Sequence, residues 1–432
     1  MNVLVVGSGG REHALAWKIA QSKELQKLYV APGNAGISKI GECVSIQSDD
    51  IPALIAFAKE KSIDLTVVGP EVPLVNGMVD QFENEGLLIF GPKKQAAQLE
   101  GSKIFSKEIM IESGVPTADF KIFSDVKEAK RYIIDHEPPL VIKAEGLAAG
   151  KGVVIANSCE EGIEAVNQMI HERIFGDAGR RVIIEDFLSG TELSVLVLTD
   201  GETAVPLASS QDHKRVFDND EGPNTGGMGA YSPCPFVDDE KLREIVRVTA
   251  EPVIETLRRK GIIYRGILYV GVMLTEKGPY VLEYNVRFGD PETQAVLPRL
   301  QTDFLSLLLQ VAKGKLETKE LSWDSRSCLS VAIVSGGYPG AYETNFPITG
   351  LKEAAQVKNA IVFHAGTQLN QKGEICTAGG RVLNISALGN TLKDAYETAY
   401  DAAQRVTFKN AYYRTDIGKR VLSDVSLHQH HS

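Results

Sequence analysis

Residues 139–155 read PLVIKAEGLAAGKGVVI: an apolar, strand-like run closed by Lys143, a loop carrying Gly146, Gly150, Lys151 and Gly152, and a second apolar run. Glycines let a backbone approach a ligand closely, and successive N–H groups in such a loop form a cradle for phosphate oxygens. Lys143 at the end of the incoming strand adds a point charge for the same phosphates. The spacing is not that of a Walker A loop, which needs four residues between its glycines and Ser or Thr after the lysine. Here three residues separate Gly146 from Gly150, and Gly152 occupies the hydroxyl position. The stretch therefore predicts a nucleoside triphosphate held by strand, loop and strand rather than strand, loop and helix. A plain glycine-rich hairpin has the same composition, so the loop alone leaves both readings open.

On its N-terminal side, strands at 3–6, 27–30, 65–68 and 87–90 alternate with helices at 12–22 and 51–61. That rhythm predicts a parallel sheet with helices on both faces. Gly7-Ser8-Gly9-Gly10 after the first strand invites a dinucleotide-binding reading, but Glu12 stands where the third glycine belongs. The second strand also runs into Ala31-Pro32 instead of an acidic residue. Both checks fail. What survives is a glycine turn at a helix N-terminus, an anion site strengthened by Arg11, with a purely structural turn as the alternative.

On the C-terminal side, a helix over 102–114 ends before Pro116. Strand-like segments at 140–143, 153–156, 181–187 and 192–198 surround one helical stretch near 160–170, suggesting a small α+β lobe. A helix over 239–260 leads to strands at 266–274 and 280–286, and from Ser327 a compact C-terminal domain begins. The strand 280–287, YVLEYNVR, carries the second strong signal. At a side-chain period of two, Glu283, Asn285 and Arg287 share one face. Carboxylate and amide oxygens are hard ligands suited to Mg²⁺, and Arg287 beyond them suits a phosphoryl group or a carboxylate. The solvated face of an edge strand is the competing reading, disfavoured by the Lys143 loop. A third signal, QDHKRVFDNDEGPNTGGMGAY at 211–231, joins Asp212, His213, Lys214 and Arg215 to a second glycine loop. It suggests substrate clamping and exclusion of water, with His213 equally suited to a structural hydrogen bond.

Composition narrows the remaining classes. The chain has 432 residues, 43% of them apolar and 24% charged, enough for two to four globular domains. A net charge of −10 argues against a nucleic-acid surface or an anionic membrane as partner. The five cysteines are scattered without a C-x-x-C pair, which fits reduced thiols in a cytoplasm. No secretory signal and no apolar run of roughly 20 residues is visible. His428, His430 and His431 are read as part of a disordered tail.

Several motifs in order carry a resemblance: SGGREHA at 8–14, PGNAG at 32–36, VGPEVPL at 68–74, LEGSK at 99–103, the 143–152 loop, the 211–214 and 222–231 segments, RFGDPE at 287–292, FHAGT at 363–367 and GGRVL at 379–383. Together the motifs resemble the glycinamide ribonucleotide synthetases, ATP-grasp ligases of purine biosynthesis, from Val3 to Ile417. Two departures stand out: Glu145, where the family more often has Asp, and Gly271, where many ATP-grasp relatives carry an acidic metal ligand. The resemblance implies an α/β and α+β multidomain fold. It comprises an N-terminal parallel-sheet domain over 1–104, a two-lobed ATP-grasp core over 105–320 with a mobile small lobe near 117–190, a small β-rich C-terminal domain over 321–425, and a tail at 426–432.

The same resemblance implies that ATP, glycine and 5-phosphoribosylamine become glycinamide ribonucleotide, ADP and phosphate through glycyl phosphate, with Mg²⁺ or Mn²⁺. Lys103 and Lys143 are then expected on the ATP phosphates, Glu185, Asp186, Phe187 and Leu188 at the adenine hinge, and Glu192 on the ribose. Glu283 and Asn285 hold the metal, and Arg287 neutralises the acyl phosphate. Glycine is expected near Asp212, Gly227 and Asp290, with Asp212, Lys214, Arg287 and Asp290 as catalytic residues and Asn224, Thr225, Gly226, Gly227 and Met228 as a substrate loop. The substrate phosphate is expected near Gly9, Gly10 and Arg11, with Glu71 on its sugar and Arg381 as a further candidate. A cytoplasmic monomer acting on small molecules, in transient contact with the preceding enzyme of its pathway, completes the expectation. The alternatives are another ATP-grasp carboxylate–amine ligase or carboxylase with a different acceptor, and a non-catalytic nucleotide sensor.

Overall fold

The computed structural model describes residues 1–148 and 152–422. Gly150, Lys151 and the tail at 426–432 lie outside the described residues.

The N-terminal part is a five-stranded parallel sheet in the order Glu42–Cys43, Lys27–Pro32, Asn2–Gly7, Leu65–Val68, Ile89–Phe90. Its central strand is apolar throughout because both faces are covered, and Val3 to Val6 are fully buried. The strand expected over 87–90 shortens to Ile89–Phe90, because the Leu87 N–H turns back to Phe82 O (2.9 Å) at the preceding helix end.

The small lobe is a four-stranded sheet in the order Phe120–Phe123, Val182–Asp186, Leu140–Ala144, Val153–Ala156, with antiparallel neighbours. Two helices, Val126–His136 and Cys159–Val166, pack on it where one was expected. The extra helix places Ala129 and Ile133 in the core and is capped by Asp125, which accepts from Lys127 N (2.8 Å) and Glu128 N (2.9 Å). This lobe has a hydrophobic core of its own.

The larger lobe is an antiparallel sheet in the order Ala204–Pro206, Thr191–Thr199, Gly266–Thr275, Gly278–Asn285. The single helix expected over 239–260 divides into Asp239–Thr249 and Glu251–Arg259 at Ala250. Pro252 supplies no N–H to the preceding turn and so suits the first turn of a new helix.

A third sheet orders Gln211–Asp212, Gly229–Ser232, Ser327–Val334, Arg381–Gly389 and Ala360–His364. Two of its strands thus come from the middle of the chain, so the 211–232 segment hangs from the C-terminal sheet.

Candidate active site

The site is built around the strand Gly278–Asn285. Gly271 pairs with Glu283 and Val272 with Val281, leaving Leu282 as a bulge. The extra residue re-phases the strand. Val281, Tyr284 and Val286 go into the core, and Glu283, Asn285 and Arg287 take the opposite, partly open side. Gly271 leaves the face opposite Glu283 open, where a Cβ would come only into ordinary contact, 3.4 Å from Glu283 Cγ. The bulged Leu282 carbonyl accepts Lys143 Nζ at 3.0 Å, tying the small-lobe strand to the strand that carries Glu283 and Asn285.

Burial pushes the Glu283 carboxyl up, but Lys214, Lys143, Lys103 and Arg287 together hold it below the usual range. Among the described residues none hydrogen-bonds or ion-pairs its oxygens. Asn285 donates Nδ2 to its neighbour's carbonyl (2.9 Å), which leaves its side-chain oxygen free to face a cation. A carboxylate and an amide oxygen beside converging lysines are a donor set that fits a hard divalent ion shared with phosphates. Among the described residues there is no group of three or more His, Cys, Asp or Glu for a metal held by protein alone.

Lys143 also reaches Glu185 Oε2 at 2.9 Å, and Lys107 lies 3.2 Å from Glu185 Oε1. The Glu185 side chain is therefore engaged by the two lysines, while Asp186 and Phe187 lie at the exposed strand end. Lys107, which the sequence motifs did not single out, also donates to Thr117 Oγ1 (2.6 Å), and burial drops its ammonium to about 8. Lys103 Nζ reaches Gly146 O at 3.2 Å. Glu145 is held by Arg181 through both carboxylate oxygens (2.8 and 2.6 Å), so it anchors the loop. The Gly146 N–H donates to Ala178 O (3.1 Å), so in this conformation it is not part of a phosphate cradle.

Arg287 sits between two carboxylates, Glu71 Oε2 at 3.3 Å from Nε and Glu100 Oε1 at 3.1 Å from Nη2. Glu100 also accepts Val286 N–H at 2.7 Å, and burial pushes its carboxyl up to about 7 against the pull of Arg287. Glu71, expected on the substrate sugar, pairs with this arginine in the structure. Glu100 was visible only as part of the LEGSK motif.

Asp212 and Lys214 form the opposite wall, with Lys214 Nζ 2.8 Å from Asp212 Oδ2. The ammonium is the only group paired with this buried oxygen among the described residues. Burial raises the Asp212 carboxyl to about 7 despite Lys214, which itself stays charged. Gly227, at φ +124°, crosses above it, and a Cβ there would lie 2.7 Å from Asp212 Oδ1 and 2.3 Å from Pro291 Cδ. Thr225 donates N–H and hydroxyl to Lys214 O (2.7 and 2.8 Å) and accepts Gly227 N–H (2.9 Å). Met228 is a correction: its side chain is fully buried and belongs to the core.

Asp290 faces Arg381 (3.3 Å to Nη2) and accepts Gln294 Nε2 (2.7 Å); burial pushes its carboxyl up, but Arg381 and Arg11 hold it below the usual range. The glycine turn differs from the expectation. Glu12 Oε2 already accepts Gly9 N–H (2.7 Å), Glu12 Oε1 pairs with Arg11 Nε (2.6 Å), and Arg11 donates its backbone N–H to Asp290. Gly10 is buried where a Cβ would meet Asn384 Oδ1 at 2.6 Å. Two carboxylates thus already occupy the helix N-terminus, with Arg11 and Arg381 paired to them.

The chain matches three family models in order: phosphoribosylglycinamide synthetase N domain at residues 1–100, its ATP-grasp (A) domain at 101–293, and its C domain at 328–420. The chain belongs to the phosphoribosylglycinamide synthetase family. Within this synthetase family it is 47% identical to a phosphoribosylamine–glycine ligase of Halalkalibacterium halodurans, over 98% of either chain. It is 48% identical to that of Caldanaerobacter subterraneus subsp. tengcongensis, over 96% of this chain and 99% of the relative. The solved phosphoribosylamine–glycine ligase of Thermotoga maritima superposes at a TM-score of 0.82 with 35% identity, covering 96% of this chain and all of that one. A biotin carboxylase from Campylobacter jejuni superposes at 0.71 with 16% identity, over 95% of this chain and 92% of its own, and so shares the fold alone.

Proposed function

We propose that glycine is activated in the cleft between the Lys103–Lys143 side and the Asp212–Lys214 wall, over the Glu283-Asn285-Arg287 face. The chain catalyses the ATP-dependent joining of glycine to 5-phosphoribosylamine, giving glycinamide ribonucleotide, ADP and phosphate in purine biosynthesis. The observation that carries this is full-length similarity to phosphoribosylamine–glycine ligases.

A carboxylate is a poor electrophile. One glycine carboxylate oxygen attacks the γ-phosphorus, the bond to the bridging oxygen of ADP breaks, and glycyl phosphate forms. The amine of phosphoribosylamine then adds to the acyl carbon, phosphate departs, and the nitrogen loses a proton. Positioning and charge neutralisation supply most of such catalysis. Lys103 and Lys143 meet the ATP phosphates, and the 185–188 strand end meets the adenine through its backbone, with Glu192 at the ribose. Glu283 and Asn285 would hold Mg²⁺ or Mn²⁺, which when bound neutralises phosphate charge. Arg287, kept in place by Glu71 and Glu100, faces the growing acyl phosphate. Asp212 receives the glycine ammonium and Lys214 its carboxylate. Arg381 beside Gly226 is the cation best placed for the substrate phosphate.

Acyl phosphates hydrolyse in water, so the loops around 146–152 and 222–229 act as covers. The five free cysteines suit a reducing, cytoplasmic setting, and no helix among the described residues is long and apolar enough to cross a membrane. A monomer in transient contact with the enzyme that supplies the labile amine completes the reading. Lys143→Ala and Glu283→Ala are each expected to abolish glycine-dependent ADP release; retained turnover in both refutes the site.

A further inference from the structure

The segment Arg414–Gly418 touches neither nucleotide nor metal residues, yet it forms a dense link from the C-terminal part of the chain to the substrate hairpin. Arg414 is only 1% exposed. Its Nε and Nη2 grip the two Asp416 oxygens (2.7 and 2.8 Å), and its Nη1 donates to Arg215 O (3.0 Å) and Asp220 Oδ1 (2.9 Å). Asp416 Oδ2 also accepts Asn219 N–H (2.8 Å), and Asp218 accepts the Thr415 N–H (2.8 Å) and hydroxyl (2.5 Å).

Nearer the site, Gly418 N–H donates to His213 Nε2 (3.2 Å), which leaves His213 Nδ1 to donate to Gly229 O (3.2 Å). Ile417 fills the space above Gly229, where a Cβ would lie 2.9 Å from Ile417 Cδ1. The residues held this way are the immediate neighbours of Asp212 and Lys214. The hairpin is also closed internally by Thr225 on Lys214 O and by Met228 N–H on His213 O (2.8 Å). Displacement at 215–220 is therefore transmitted along a bonded strand to the glycine wall.

We propose that Arg414 is a positioning residue for glycine activation: through Asp416, Asp220 and the Arg215 carbonyl it sets the hairpin that presents Asp212 and Lys214. This rests on the assignment of those two residues to glycine. A scaffold without this role would, when loosened, change all substrates alike, whereas a positioning role falls on glycine. Among the described residues Arg414 makes no hydrogen bond or ion pair with Lys103 or Lys143, so affinity for an ATP analogue serves as the comparison.

The test measures glycine KM, kcat, ATP-analogue Kd and melting temperature for Arg414→Met, Arg414→Lys, Asp218→Asn and Lys214→Ala. Arg414→Met is expected to raise glycine KM about tenfold or more with ATP-analogue Kd within about twofold. Arg414→Lys should recover part of the loss, because it keeps the charge but not the two-sided grip. Asp218→Asn should move glycine KM in the same direction by a smaller factor. Where Arg414→Met does not fold, the Lys and Asp218→Asn variants carry the test. Unchanged glycine KM in them, or glycine and ATP constants moving together, overturns the proposal while Lys214→Ala still raises glycine KM. An unchanged glycine KM in Lys214→Ala overturns the underlying assignment and the proposal with it.

Discussion

Glycine affinity is expected to depend on pH through Asp212, whose carboxyl burial raises to about 7. A raised carboxylate must lose its proton before it can receive the glycine ammonium, so affinity rises with pH. With a midpoint of 7, about nine-tenths of Asp212 is ionised at pH 8 and about one-tenth at pH 6. Glycine itself stays zwitterionic over that range, and Lys214 stays charged because its ammonium is held well above the ordinary value. The expected weakening from pH 8 to pH 6 is therefore about tenfold, or about 1.4 kcal/mol. Asp212→Asn should bind glycine roughly 10- to 100-fold more weakly at pH 8, the loss of a hydrogen bond to a charged group. Its affinity should also be flat with pH. Calorimetric titration of the nucleotide-free protein at pH 6, 7 and 8 reads both effects. A flat profile in the unsubstituted chain, or a slope that survives in the Asn variant, refutes the reasoning.

Two further outcomes follow from buried groups. Glu100→Gln keeps an acceptor for Val286 N–H but takes one carboxylate from Arg287; kcat should fall by tenfold or more, about 1.5–3 kcal/mol, at unchanged ATP affinity. Unaltered kcat in steady-state assays argues against Glu100 setting the arginine. His13 accepts His364 N–H (2.7 Å), and burial lowers its imidazole from 6.5 to about 3. Such a group stabilises the fold above pH 6.5, and stability is lost as pH falls towards 3, because the unfolded chain takes up the proton first. Between pH 7.5 and pH 5 the urea-unfolding advantage of the chain over His13→Gln should shrink by about 2 kcal/mol. A gap independent of pH contradicts a neutral buried imidazole.

The sequence was most legible where chemistry follows local spacing. Glu283, Asn285 and Arg287 alternate, and their common face survives because the bulge at Leu282 falls just before them. Lys143 was legible as a strand-end lysine, and it bonds the strand that carries Glu283 and Asn285. What escaped was pairing between distant segments. Glu71 and Glu100 reach Arg287 from about 190 to 220 residues away, and nothing in their own neighbourhoods announces it. Arg414 likewise finds its acceptors across nearly two hundred residues. At the glycine turn, nothing in the sequence showed that Glu12 would accept the Gly9 N–H. The helix Val126–His136 was missed although Asp125 caps it, since its exposed face is strongly charged and only a narrow stripe is apolar.

The 211–232 segment completes a sheet whose inner strands, Ser327–Val334 and Arg381–Gly389, emerge a hundred and more residues later. During synthesis, therefore, the two sheets of the middle of the chain are complete before the strands that back the 211–232 segment are made. Those long-range pairings are slow to form because their loops must close first. The 211–232 segment is thus seated only once the last strands and the 414–418 segment have docked.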